Sequence, residues 1–207
     1  METTYRCLAG FLSDVNVFVL PDLKRLRNDI RPDRNGFAGC TVPTAMFAFA
    51  VLDLVGFLIR PEPPGLCDEC RRRRLMATSD NIAFSLSSEG GILPPEYENN
   101  TELLLKLFRH GIMHQVLPKA AGIAKVAADS DLPLIYYQPQ ACPNLNVDKL
   151  ADDLIRALAL LENRVRSPNG NGLASQMDQR IRFLHAEGQS LLEAMKKKGL
   201  VEGCGGG

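Results

Sequence analysis

Between Gly36 and Ile59 the chain carries a single charge, Asp53, and this apolar run constrains the fold more than any other segment. A membrane-spanning helix needs about 20 apolar residues, so length alone would permit a crossing. The detail of the run argues for a different use. Pro43 and the small residues Ala38, Gly39, Ala45, Ala48 and Ala50 dilute it, and Asp53 would stand within hydrocarbon. Arg31 and Arg34 precede it, while Arg60 and Arg71 to Arg74 follow, so the flanking charge sets no orientation. A helix that is apolar on every face belongs at the centre of a bundle. The reading is a buried central helix from about Thr44 to Arg60. Pro43 suits its first turn, and Pro-Glu-Pro-Pro-Gly at 61–65 stops it.

A chain of 207 residues that is 45% hydrophobic can build the core of one domain around such a helix. Lys and Arg total 24 against 24 Asp and Glu, so no global field attracts duplex DNA or an acidic membrane, and any polyanion must meet a local patch. Aromatics are only 6%, with no Trp, which excludes an aromatic sugar-binding platform. The six cysteines (Cys7, Cys40, Cys67, Cys70, Cys142, Cys204) are irregularly spaced. The first residues lack a basic head followed by an apolar run. Reduced thiols in a cytoplasmic protein with no membrane partner are the expectation.

Periodicity supplies the remaining elements. Val15, Phe18, Val19, Leu23, Leu26 and Ile30 recur at helical steps, with an interruption expected at Pro21. Residues 61–100 read as a region containing a mobile loop, above all from Ser85 to Pro95. Asn99 or Asn100 is the expected N-cap of a helix running to about Val116, with Glu102 in its first turn and Pro118 after it. Gly122–Ala127 and Leu132–Tyr137 are expected to pair as a β-hairpin, with Pro133 confining the second strand to an edge. Asn146 caps a helix through Leu161, and a last helix follows the break at 167–172. The fold class is mainly α: a helical bundle with a small β-hairpin insertion, one domain over 1–200 and a disordered tail at 201–207.

Chemistry concentrates in Leu-Phe-Arg-His-Gly-Ile-Met-His at 107–114, which holds two of the three histidines. In a straight helix Arg109 and His114 lie about 7.5 Å apart along the axis and about 140° apart around it. They converge on one ligand only if the helix loosens, for which Gly111 is placed, or if a second subunit supplies the opposite wall. An imidazole exchanges protons near neutral pH, and a guanidinium pairs with phosphate through parallel hydrogen bonds. Together they suit cleavage of a phosphodiester by an adjacent hydroxyl, the route open to RNA through its 2′-OH, without a metal or other cofactor.

Arg109, His110 and His114 meet the signature of the HEPN superfamily, an Arg followed after four to six residues by a His, often with a polar residue directly after the Arg. The chain resembles that superfamily loosely from Leu12 to Leu161 and in detail only at the motif. The resemblance implies a homodimeric helical domain and a metal-independent endoribonuclease, often a toxin with an antitoxin partner protein or part of anti-phage defence. It implies His114 as general acid/base, Arg109 steadying the charged phosphorane, and His110 orienting His114 or holding a neighbouring phosphate. The alternative is a HEPN-like module without catalysis that binds a nucleotide, an RNA or a partner protein through the same cleft.

Arg180 and His185 fit the same spacing, but Ile181 follows the Arg within a long amphipathic helix, and both read as solvated. Arg71, Arg72, Arg73 and Arg74, with Lys106 and Lys119 beside the motif, are the candidate RNA-binding residues. The bland alternative is a solvated turn in which the arginines offset Asp68 and Glu69. His110 and His114 also have the i, i+4 spacing of metal ligands, with Cys67 and Cys70 as conceivable partners. One Cys-x-x-Cys is weak support, and the expected metal is none.

Overall fold

The structure, a computed structural model, describes residues 7–30, 40–61, 78–110, 112, 121–125, 132–137 and 142–198. α1 (Leu8–Asp14), a π-helical turn (Val15–Val19) and α2 (Leu20–Asn28) succeed one another without a break. Pro21 lies in the first turn of α2 and has no N–H for the usual i→i−4 bond. The chain answers by widening the turn before it, so the expected interruption is a change of pitch and not a split.

α3 (Thr41–Ile59) occupies the centre, packed against α2, α4 and the two long C-terminal helices. It is the one helix among the described residues long and apolar enough to cross a membrane, yet 61% of that stretch is buried inside the fold. Its apolarity is consumed by its neighbours. α4 (Thr78–Leu86) lies against it so closely that a Cβ on Gly56 would stand 1.9 Å from the Asn81 carbonyl oxygen. Ser85 Oγ donates to the Leu52 carbonyl at 2.8 Å across the same contact.

The expected loop near 61–100 holds in part: turns and bends without helix or strand run from Ser87 to Tyr97, but the loop is not the whole segment. Residues 78–86 are helical, and Ile92, Leu93 and Tyr97 are core residues. Ser, Glu and Gly separate these apolar positions, so no continuous stripe announces them in the sequence. Residues 62–77 lie outside the described residues, as does the tail at 201–207.

A 3₁₀ turn (Glu98–Asn100) leads into α5 (Thr101–Leu103) and a second π-helical segment (Leu104–Arg109). The helix is present over the described residues 101–110 and at Ile112, its expected end near Val116 lying outside them, but Asn100 does not cap it. Its Nδ2 donates to the Glu96 carbonyl at 2.7 Å, turning the side chain away from the helix amides.

β1 (Gly122–Ala124), β2 (Leu134–Tyr137) and β3 (Cys142–Asn146) make one small sheet in the order β1-β3-β2. The expected pairing of the first two strands is incorrect. β3 sits between them, antiparallel to β2 and parallel to β1. The hairpin is therefore β2–β3, and β2, preceded by Pro133, is an edge strand as expected. Gly122 faces Asn144 so tightly that a Cβ would lie 1.7 Å from Asn144 Oδ1.

α6 (Val147–Arg166) starts where the sequence places it, with Asn146 Oδ1 accepting from the Lys149 N–H at 3.1 Å. Arg27 of α2 clamps onto α6 through Asp152, with Nη2 to Oδ2 at 2.9 Å, and through Asp148 at 3.4 Å.

α7 (Asn171–Lys197) overturns another expectation. Arg180 is not solvated; it is 4% exposed. Its Nη1 donates to the Phe57 carbonyl and its Nη2 to the Arg60 carbonyl, both at 3.0 Å. Its guanidinium lies 5.2 Å from the centre of the Phe57 ring. Gln176 Nε2 donates to the Leu58 and Arg60 carbonyls at 3.1 and 2.6 Å. The last turn of any helix leaves carbonyls without internal partners, and that end carries partial negative charge. The end of α3 is buried away from water, so α7 supplies a cation and an amide to satisfy it.

Candidate functional site

The motif helix is held at its entrance by a buried polar network. Tyr97, fully buried, donates from its hydroxyl to Asp153 Oδ2 at 2.8 Å. The Asp153 side chain has no exposed surface and also meets Lys149 Nζ at 2.7 Å and Arg156 Nη2. Burial, reinforced by the Asp153 carboxylate, pushes the Tyr97 hydroxyl far above its ordinary pKa. The phenol stays protonated and locks the chain just before Glu98. Lys149, Asp153 and Arg156 have legible i, i+4 and i, i+3 spacing, but nothing in the sequence says that Asp153 is buried or that Tyr97 reaches it.

From there Leu104, Phe108 and Ile112 bury their side chains at four-residue steps. Four residues of a regular α-helix overshoot one turn by about 40°. The wider π turn at 104–109 reduces that drift and keeps the three on one face, which fixes the opposite face as well. The helix is thus already widened a turn before Gly111, itself outside the described residues, and the π segment ends on Arg109.

Arg109 and His110 are both half-buried, and Arg109 Nη1 lies 3.1 Å from His110 Nδ1. A guanidinium can only donate, so Nδ1 is the acceptor and the ring proton of this neutral imidazole sits on Nε2. His110 therefore orients Arg109, while its expected role toward His114 falls on a residue outside the described ones. Arg109 Nε is buried and has no hydrogen-bond partner. Among the described residues no group accepts from this Nε donor, while Nη1 is engaged by His110.

Lys106 is exposed and pairs with Glu102 at 2.5 Å across one turn. That hydrogen bond holds the Glu102 carboxyl below its ordinary range. The two line an open groove of about 360 Å³ with Asn99, Asn100, Leu103 and Leu107. Surface pairs of this kind contribute little, because solvent screens them, so an incoming phosphate can displace Glu102 at little cost.

The structure thus brings Arg109 and His110 together, with Lys106 one turn earlier on the same helix. His114, Arg71, Arg72, Arg73, Arg74 and Lys119 lie outside the described residues, as do Cys67 and Cys70 of the zinc alternative. Among the described residues no group of three or more His, Cys, Asp or Glu side chains is arranged to hold a metal ion. The second match to the motif separates by role: Arg180 caps α3, and His185 lines an apolar cavity. No protein-family model, curated protein or solved structure matches the chain.

Proposed function

We propose that this protein is a metal-independent endoribonuclease of HEPN type, acting as a cytoplasmic homodimer in a toxin–antitoxin or anti-phage setting. The observation that carries the reading is Arg109: a half-buried guanidinium held by a neutral imidazole, with its Nε donor unspent. In this account Arg109 binds the scissile phosphate and offsets the charge that develops on it. His114, five residues on, takes the proton of the RNA 2′-OH as that oxygen attacks phosphorus, and a proton is returned to the departing 5′-oxygen. The products are a 2′,3′-cyclic phosphate and a 5′-hydroxyl. Lys106 and the arginines at 71–74 guide the flanking backbone, and a second copy completes the cleft. The burial of α3 within the bundle and the free thiols Cys7 and Cys40 accord with a soluble protein in a reducing compartment.

Purified protein incubated with single-stranded and structured RNA tests the reading. Arg109→Ala and His114→Ala should retain their helical signal and cut slower by about 10²-fold or more. His185→Ala, on the second motif match, should cut like the wild type. Equal rates in all variants would place the activity elsewhere. RNA binding lost in Arg109→Ala, with no cleavage by any form, would assign the site to a binding module.

A further inference from the structure

We propose that the protein holds a second, unrelated site: a cleft between α3, α4 and α7 that binds a small primary alkylammonium compound. The observation beneath this is the one charge of α3. Asp53 is half-buried and accepts from Asn81 Nδ2 through Oδ1 at 2.8 Å. A carboxylate offers no donor, so this contact fixes which end of the Asn81 amide faces Asp53. The other end, Oδ1, is buried and has no hydrogen-bond partner, on a residue only 4% exposed. Leaving such an acceptor dry is unfavourable unless something donates to it.

Asp53 and Asn81 line a cavity of about 210 Å³ whose other walls are Ala50, Leu54, Phe57, Thr78 and Leu184. The polar lining of this cavity is Asp53, Asn81 and Thr78, with the unpartnered Oδ1 on the same Asn81 amide that donates to the carboxylate. That set calls for a donor-only group bearing positive charge. A primary ammonium has three N–H donors and no acceptor, which fits. A hard divalent cation does not, because it would need about six oxygen ligands and the wall has one carboxylate.

The tail has a place to go. Leu54 and Leu184 also border a second cavity of about 230 Å³, closed by Phe11, Leu58, Ile181 and His185. From Ala50 to Leu58 the two cavities follow α3 for about 12 Å. An unbranched chain of medium length would lie along this wall with its head on Asp53, exchanging water for apolar contact. No residue of the motif helix takes part, so the site stands or falls apart from the nuclease reading.

Calorimetric titration of the full chain with octylammonium, octanol and octanoate tests the proposal. Octylammonium should bind, octanol should bind about tenfold or more weakly, and octanoate should show no binding. Asp53→Asn should weaken octylammonium by about tenfold while leaving octanol unchanged. Leu184→Trp, which fills the wall common to both cavities, should abolish binding of both, with circular dichroism verifying that each variant is folded. Equal affinity for octylammonium and octanol, an Asp53→Asn variant that binds octylammonium as tightly as the wild type, or no octylammonium binding at all would overturn it.

Discussion

Arg180→Ala removes the cation that closes the buried end of α3, and its cost can be worked from the contacts. The hydrogen bonds from this charged donor to the Phe57 and Arg60 carbonyls are lost, each worth about 1.5–3 kcal/mol. The losses are unequal. The Arg60 carbonyl keeps its 2.6 Å bond from Gln176, whereas the Phe57 carbonyl is left without this donor. The stacking on Phe57 adds about 0.5–2 kcal/mol and the interaction with the helix terminus a similar amount. Because these terms share one side chain they do not sum, and a net loss of about 3 kcal/mol is expected. For a chain of this size that lowers Tm by about 6–12 °C. Arg180→Lys keeps the charge but not the forked geometry and should recover about half of the loss. Urea and thermal unfolding followed by circular dichroism give both numbers. A destabilisation within about 0.5 kcal/mol of zero, the usual figure for a solvated position, would refute the capping argument.

Alkaline unfolding tests the Tyr97–Asp153 contact. The folded state holds the Tyr97 proton far above the ordinary value of about 10, so the contribution is intact below that pH and is lost as the unfolded chain deprotonates above it. The urea midpoint of the wild type should fall more steeply above about pH 10 than that of Tyr97→Phe, and identical profiles would refute the assignment. Gly56→Ala forces α3 and α4 apart against the Asn81 carbonyl and should cost about 1–3 kcal/mol in chemical denaturation. A neutral result there would mean that the two helices can separate freely. Asn146→Ala should lose about 1 kcal/mol, measured in the same way, through the cap of α6.

The parts of the fold legible in the sequence are those in which one short-range signal decides. The cap at Asn146 and the stripe behind it define α6, and an apolar run with one charge, ended by prolines, defines α3. The parts that were not legible depend on partners distant in sequence. Nothing near Arg180 indicates that it meets carbonyls more than a hundred residues earlier, and a charged residue on an amphipathic helix reads as solvated by default. The strand order failed for a related reason. Gly122–Ala124 and Leu134–Tyr137 are adjacent apolar runs, but the strand between them in space begins with Cys-Pro-Asn, which carries little strand propensity. At the candidate site, residue types and spacing singled out Arg109 and His110. The π turn that aims Arg109 and the Tyr97–Asp153 anchor are products of tertiary packing and could not be read from the motif.

The central claim is the chemistry assigned to Arg109 and His114, and the ends of the cut RNA test it most directly. Mass spectrometry of products formed in the presence of EDTA should find 2′,3′-cyclic phosphate and 5′-hydroxyl ends. An otherwise identical substrate with a 2′-deoxyribose at the cut position should remain whole. Products with 3′-hydroxyl and 5′-phosphate ends, cleavage that EDTA abolishes, or equal cutting of the deoxy-substituted strand would contradict the account.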